Sequence, residues 1–275
     1  MRNFARRQFF NFGEPSMLVL LSPAKDLAKE TPVVLDATQP ALLEHSLPLV
    51  AKLKTFSARK LSKLMDLSPA LGELNRARYE RWSTPFTQDN ARPAAFTFNG
   101  EVYRGLAART LSKEDLRFAQ HHLRILSGLY GVLRPLDLIQ DHRLMMGTPL
   151  PVGRKKNLYA YWGDRITNLL KHDLKESGGN TVVNLASAEY FKAVKSDLLG
   201  ARVITPVFKD RGPGGYKVIM VFAKQQRGAM ARHIITHRLL DAEKLKAYDG
   251  DGYRYAPDES TADEWVYLRD SRPLS

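Results

Sequence analysis

The sequence predicts a mixed α+β fold in one compact unit, a mixed sheet flanked by helices. Three observations carry that expectation. Strand-like apolar runs and helix-like periodic segments interleave along the 275 residues without a regular strand–helix–strand repeat. No Gly/Ser- or Pro-rich linker divides the chain. A hydrophobic fraction of 44% over that length is ample for a sizeable core. The unit is expected to run from residue 17 to residue 275. Residues 1–16 carry Arg2, Arg6 and Arg7 and lack the continuous apolar segment of a secretory signal, so they read as a poorly ordered extension.

The elements follow in order. Residues 17–22 are short, apolar and followed by Pro23, which predicts a buried strand. Residues 39–82 have helical character: Leu42, Leu43, Leu47, Leu49, Val50 and Leu53 recur at helical spacings, with Pro48 a potential interruption, and Ser68-Pro69 is a helix start. Residues 95–98 read as a strand ending in the turn signal Asn99-Gly100. Ser112 and Asp115 approximate a capping box, opening a helix that runs to about His122. Residues 123–126 read as a short strand or helix end, and Gly128 and Gly131 bracket a tight turn. Residues 156–177 read as the strongest helix, stopped by Gly178-Gly179. Residues 181–185 predict a strand and 187–194 a short helix capped by Ser187. Residues 202–208 and 216–222 predict a hairpin around a Gly/Pro-rich turn, 225–240 a helix, and 253–255 and 265–268 late strands.

Composition narrows the function classes. Cysteine is absent, which excludes disulfides, thiolate metal sites and cysteine nucleophiles and fits a reducing, cytoplasmic setting. No apolar run approaches the ~20 residues that span a bilayer, so no membrane association is expected. The formal net charge is +13. Residues 111–235 hold 20 basic against 10 acidic side chains, whereas residues 236–275 hold 6 against 9. Concentrated positive charge of this kind attracts polyanions, chiefly nucleic acid.

Several segments carry candidate chemistry. Ser22-Pro23-Ala24-Lys25 follows the first strand, where Lys25 can meet a phosphate. In Phe98-Asn99-Gly100-Glu101-Val102-Tyr103, Glu101 can hold a nearby cation. Gly128-Leu129-Tyr130-Gly131 is a Gly-x-x-Gly turn whose consecutive N–H groups suit a phosphate oxygen, with Arg124, Arg134 and Arg143 around it. The same logic underlies helix-hairpin-helix elements, which grip a nucleic-acid backbone without reading sequence. Ser187 and Lys192 sit at a strand-to-helix junction that can hold an anion or form a plain cap. Lys224, Arg227 and Arg232 give the 225–240 helix a basic beginning, which the helix dipole disfavours without a compensating anion. His233 and His237 are spaced i, i+4, but Ile234 stands where a zinc protease needs Glu, so no metal is expected. No phosphate-binding Gly-Lys-Ser/Thr loop, Gly-x-Ser-x-Gly elbow or dinucleotide fingerprint is present, and no cofactor is expected.

These segments, in order, resemble the YaaA family. The matching pieces are Ser-Pro-Ala-Lys at 22–25, Phe-Asn-Gly-Glu-Val-Tyr at 98–103 and Leu-Arg-Ile-Leu-Ser-Gly-Leu-Tyr-Gly-Val-Leu-Arg-Pro-Leu-Asp at 123–137. Further pieces are Tyr-Trp-Gly-Asp at 161–164, Asn-Leu-Ala-Ser-Ala-Glu-Tyr-Phe-Lys at 184–192 and Arg-Gly-Ala-Met-Ala-Arg at 227–232. The resemblance implies a single mixed unit with a basic cleft, a helix-hairpin-helix-like element and binding to double-stranded DNA with little sequence preference. It also implies a role in hydrogen peroxide resistance linked to limiting free intracellular iron. One departure stands out: the family's Tyr-Arg-Leu-Glu-Met-Gly is His142-Arg143-Leu144-Met145-Met146-Gly147 here, so Met145 replaces a glutamate.

Two functional expectations follow. In the first, the chain is a DNA-binding stress protein: Lys25, Arg124, Arg134, Arg143, Lys192, Lys224, Arg227 and Arg232 line one cleft, and Gly128, Tyr130 and Gly131 form the backbone-gripping turn. In the second, it is an enzyme on a phosphorylated or nucleotide substrate, with Ser22, Lys25, Glu101, Arg143, Ser187 and Lys192 in a closed pocket. The absence of a recognisable catalytic set places binding ahead of catalysis.

Overall fold

A computed structural model describes residues 16–34 and 36–271. The expected extension lies outside the described residues except for Ser16, which is buried and so belongs to the folded unit.

The first strand, β1 (Met17–Leu21), is buried at all five positions, as its unbroken apolar run requires. A clip follows, β2 (Asp26–Leu27). Three helices come next: α1 (Leu43–Lys54), α2 (Ala58–Met65) and α3 (Pro69–Arg81). Pro48 sits inside α1 without ending it. The Ser68 hydroxyl accepts from Leu71 N and Pro69 takes the first helical position, as predicted.

The next segment departs from expectation. After β3 (Arg92–Pro93), residues 95–98 are not a strand: α4 (Ala94–Thr97) is a single helical turn. Its orphan N–H groups explain this, because Ala94 and Ala95 donate to Asp137 O and Pro135 O, and Thr97 Oγ1 bonds back to Pro93 O. Only β4 (Phe98–Asn99) is extended, and it pairs with β2. Asn99-Gly100 is therefore no hairpin turn; it leads into α5 (Glu101–Leu106).

The Ser112–Asp115 capping box opens α6 (Lys113–His122) as expected. Then β5 (Leu123–Ser127) turns through Gly128-Leu129-Tyr130 into β6 (Gly131–Leu133), antiparallel to it. The Gly-x-x-Gly turn thus joins two strands, which overturns the helix-hairpin-helix reading. A short β7 (Leu138–Ile139) pairs with β3. The expected 156–177 helix is two helices, α7 (Leu158–Trp162) and α8 (Arg165–Glu176), broken at Gly163, whose φ of +53° leaves the helical region.

In the last third come β8 (Thr181–Asn184), α9 (Ala188–Phe191), α10 (Ser196–Leu199) and β9 (Arg202–Gly212). The predicted hairpin forms, but β10 (Gly215–Lys217) is short. Residues 220–222, expected as strand, instead begin α11 (Met220–Thr236). The late strands β11 (Arg254–Tyr255) and β12 (Glu264–Arg269) follow.

The main sheet has the order β11-β12-β9-β8-β1-β5-β6, with β10 beside β9. Its centre, β12-β9-β8-β1-β5, is entirely parallel, and the antiparallel strands lie at the margins. From β1 the chain builds outward through β5 to β6. It then returns to β8 on the other flank of β1 and builds outward again through β9. The order therefore reverses at the β1–β8 boundary. In parallel sheets such a reversal opens a crevice beyond the carboxyl ends of the two strands, because their connections depart in opposite directions.

Candidate anion-binding site

The site grows out of that crevice. At the end of β1 stands Ser22, and just past the end of β8 stands Ser187. The Ser187 N–H donates to Ser22 Oγ at 2.8 Å, and the Ser22 hydroxyl lies 3.3 Å from the Ser187 hydroxyl. Ser187 occupies the N-cap of α9, but its side chain caps nothing, so the expected capping bond is replaced by this junction between strands. The Ser22 carbonyl accepts from the Tyr103 hydroxyl at 3.0 Å. The β2–β4 clip, pairing Asp26 with Asn99, then brings the Lys25 segment beside the start of α5.

Two glycines set the opposite wall. A Cβ on Gly228 of α11 would stand 1.7 Å from Val102 O, and one on Gly105 of α5 would stand 2.0 Å from Gln225 O. The helices therefore cross in direct backbone contact. This places Lys224 and Arg227 of α11 across from Glu101 of α5, in the same cavity.

The remaining wall is the segment 142–147. It is held at both ends: the Tyr79 hydroxyl donates to Arg143 O at 2.6 Å, and the Gly147 N–H donates to Glu189 Oε1 at 2.9 Å. A Cβ on Gly128 would stand 2.3 Å from Leu144 O. The Gly-x-x-Gly turn is thus a seat for this segment. Its N–H groups are not free for a phosphate, because Leu129 N and Tyr130 N both donate to Ser127 Oγ. Tyr130 is fully buried and bonded to Trp82 Nε1, and Gly131 packs at Trp162 and Leu42. None of Gly128, Tyr130 and Gly131 lines the cavity.

The cavity measures about 740 Å³. Of the residues expected in a pocket, Ser22, Lys25, Glu101, Arg143 and Ser187 line it; Lys192 does not, its ammonium lying 5.2 Å from the Tyr159 ring centroid. Of the further expected DNA-contacting cations, Lys224 and Arg227 line it. The others are spoken for elsewhere. Arg124 is buried and bonded to Asp173 at 2.6 Å, Arg134 pairs with buried Asp137 at 3.2 Å, and Arg232 donates to Leu106 O and Ala107 O at the end of α5. The expectation of one trough holding all eight cations around the glycine turn is therefore replaced by a smaller convergence.

The electrostatics are uneven within the cavity. Glu101 pairs with Arg104 at 2.5 Å. Arg143 and Arg227 are half-buried, and neither has a carboxylate partner among the described residues. The Arg143 Nε is shut off from solvent with no hydrogen-bond partner, and burial lowers the pKa of Arg227. His142 also lines the cavity. Its Nδ1 lies 2.8 Å from Gln140 O, which can only accept, so that nitrogen carries the proton; burial lowers the imidazole to about 4 and keeps it neutral. Motif reading did not single out His142, Glu189, Tyr190, Asn99 or Met220 as site residues. Glu189 was the most accessible of these, since it lies inside the segment 184–192.

No group of three or more potential metal ligands occurs among the described residues. The His233 and His237 rings lie against each other, tilted by 34° with centroids 4.1 Å apart. No helix among the described residues is long and apolar enough to cross a membrane.

The fold and site define a mixed α/β protein with a cavity of cationic and acidic side chains at the reversal point of a parallel sheet. The chain belongs to the family of the peroxide stress protein YaaA, whose model matches residues 17–259. Among curated relatives it is 50% identical over 257 residues to a UPF0246 protein of Aliivibrio fischeri, covering 93% of this chain and 99% of that one. A UPF0246 protein of Alteromonas mediterranea is 51% identical over 254 residues, covering 92% and 98%. Another from Neisseria meningitidis serogroup B is 48% identical with the same coverage.

Proposed function

We propose that this member of the peroxide stress family binds a phosphate-bearing ligand of the nucleotide class in the β1–β8 cavity. The observation that supports it is the pair Arg143 and Arg227. Drawing a guanidinium out of water is costly unless an anion compensates, and no carboxylate among the described residues does so here. A phosphate oxygen pair suits the planar fork of either arginine. The cavity lining carries five cationic side chains against three carboxylates, so it favours an anion as a whole. About 740 Å³ exceeds what a lone phosphate fills and lies within the usual range for an organic ligand. Phe98, Leu144, Met145 and Met220 offer apolar contact to such a body, and Glu101 and Glu189 accept from its hydroxyl or amino groups.

Calorimetric titration with adenosine monophosphate and, separately, inorganic phosphate tests the reading. Saturable binding that weakens at least tenfold in both Arg143→Ala and Arg227→Ala supports it. Equal affinity in the variants, or no binding of either ligand, overturns it.

A second reading places the phosphate in duplex DNA. The net charge of +13 and the exposure of Lys25 and Lys224 favour it. In this form it rests on the cavity cations rather than on the glycine turn, Arg124 or Arg134. The limitation of oxidative damage and free iron implied by the family resemblance would follow from what the cavity holds.

A further inference from the structure

A second concavity, of about 730 Å³, adjoins the first and shares Phe98, Asn99 and Arg104 with it. Its character differs. The buried surface is apolar, with Ala95, Phe96, Phe98 and Ala108 all nearly inaccessible. Of the buried lining residues only Tyr103 carries a polar group, and its hydroxyl is already engaged with the Ser22 carbonyl. Around this floor stand three exposed cations, Lys29, Arg104 and Arg109, and one carboxylate, Glu30.

The state of the cations decides what fits. Arg109 donates to the backbone carbonyl of Glu30 and has no carboxylate partner among the described residues. Lys29 likewise has no ion pair among the described residues. Arg104 is the exception, paired with Glu101, which lines the first cavity. An apolar hollow in contact with water favours an apolar occupant, because burying such surface is worth about 25 cal/mol per Å². A neutral apolar body alone would leave the two rim cations unused. One with a single negative group would satisfy both features.

We propose that this second cavity binds an organic anion with a flat apolar body, such as an aryl carboxylate or sulfonate, its charge on Lys29 and Arg109 and its body against the accessible apolar lining at Ala28 and Ala107. The site is distinct from the phosphate cavity, and the inference stands whether or not that cavity binds phosphate.

Fluorescence titration of the full chain with 8-anilinonaphthalene-1-sulfonate tests it. The expected result is saturable binding of one probe per chain with blue-shifted emission. Lys29→Glu combined with Arg109→Glu should weaken it at least tenfold, as should Ala28→Phe, which fills the hollow and leaves every charge in place. Arg143→Ala combined with Arg227→Ala should leave it unchanged. Far-ultraviolet circular dichroism checks that each variant is folded. Unaltered affinity in either of the first two variants, loss in the third, or several probes per chain would overturn the proposal.

Discussion

A carboxylate beside it stabilises an arginine withdrawn from water, and four of the buried or half-buried arginines have one among the described residues: Arg92 with Asp141, Arg124 with Asp173, Arg134 with Asp137 and Arg269 with Asp210. Arg143 and Arg227 do not, and this difference has opposite consequences for stability. Asp173→Ala should cost about 3–5 kcal/mol, because it strands the buried Arg124 charge. Arg227→Met, which removes an unpaired charge and keeps the length of the side chain, should leave the melting temperature unchanged or raise it. Thermal denaturation of the two variants checks the contrast. Residue chemistry also sets an acid limit. Burial lowers both His122 and His142 to about 4, against an ordinary 6.5, so both are neutral when folded while the unfolded chain takes up their protons below 6.5. Their neutrality therefore leaves stability intact above pH 6.5 and lowers it progressively as pH falls from 6.5 towards 4. Urea midpoints measured across that window should fall, and less so in His142→Gln. At this scale the sequence was half legible. Ser22, Lys25, Glu101, Arg143 and Ser187 were picked out as ends of strands and turns. Arg124 could not be told from Arg143, because its partner Asp173 lies 49 residues away and only folding brings the two together.

Glycines decide how the elements meet. Gly105 and Gly228 let α5 and α11 cross backbone to backbone, and the crossing holds Lys224 and Arg227 opposite Glu101. Gly228→Ala would drive a methyl group to within 1.7 Å of Val102 O, so the helices must separate. Overpacking of this kind costs about 1–3 kcal/mol, and backbone on the far side places it at the upper end. Chemical denaturation should show that loss. Gly128→Ala should act differently. Its methyl would press on Leu144 O and shift the segment that carries Arg143, so ligand affinity should fall at least tenfold in the calorimetric titration above. A loss of stability with unchanged affinity would refute the role given to this turn. The glycines were visible in the sequence as punctuation, yet their partners were not. Local pattern made Gly128 and Gly131 a phosphate grip, whereas Ser127 takes the N–H groups and Leu144 takes the space. Similarly, residues 95–98 are β-like by pattern, but the carbonyls of Pro135 and Asp137 draw the Ala94 and Ala95 N–H groups into a helical turn.

The whole molecule redistributes charge that the linear sequence separates. The described part of the acidic stretch, residues 236–271, folds back to the margin of the sheet, and its carboxylates meet the basic strand β9: Asp263 and Glu243 on Arg202, Glu259 on Lys209, Asp270 on Arg211. The excess of cations over residues 111–235 is therefore partly cancelled in space, while in the cavity Lys25, Arg143, Lys224 and Arg227 have no carboxylate within ion-pair distance among the described residues. That separates two forms of DNA binding by salt. The logarithm of affinity falls with the logarithm of salt by about 0.9 per phosphate neutralised. Four cavity cations set a slope of at most about −3.6, whereas the eight-cation trough read from the sequence would give about −7. Fluorescence anisotropy of a labelled duplex across a potassium chloride series measures it. A shallow slope, abolished together with binding in the Arg143→Ala and Arg227→Ala double variant, places the contact at the cavity mouth. A slope near −7 that survives those substitutions would show that DNA lies on another face, and the cavity would then belong to a small ligand alone.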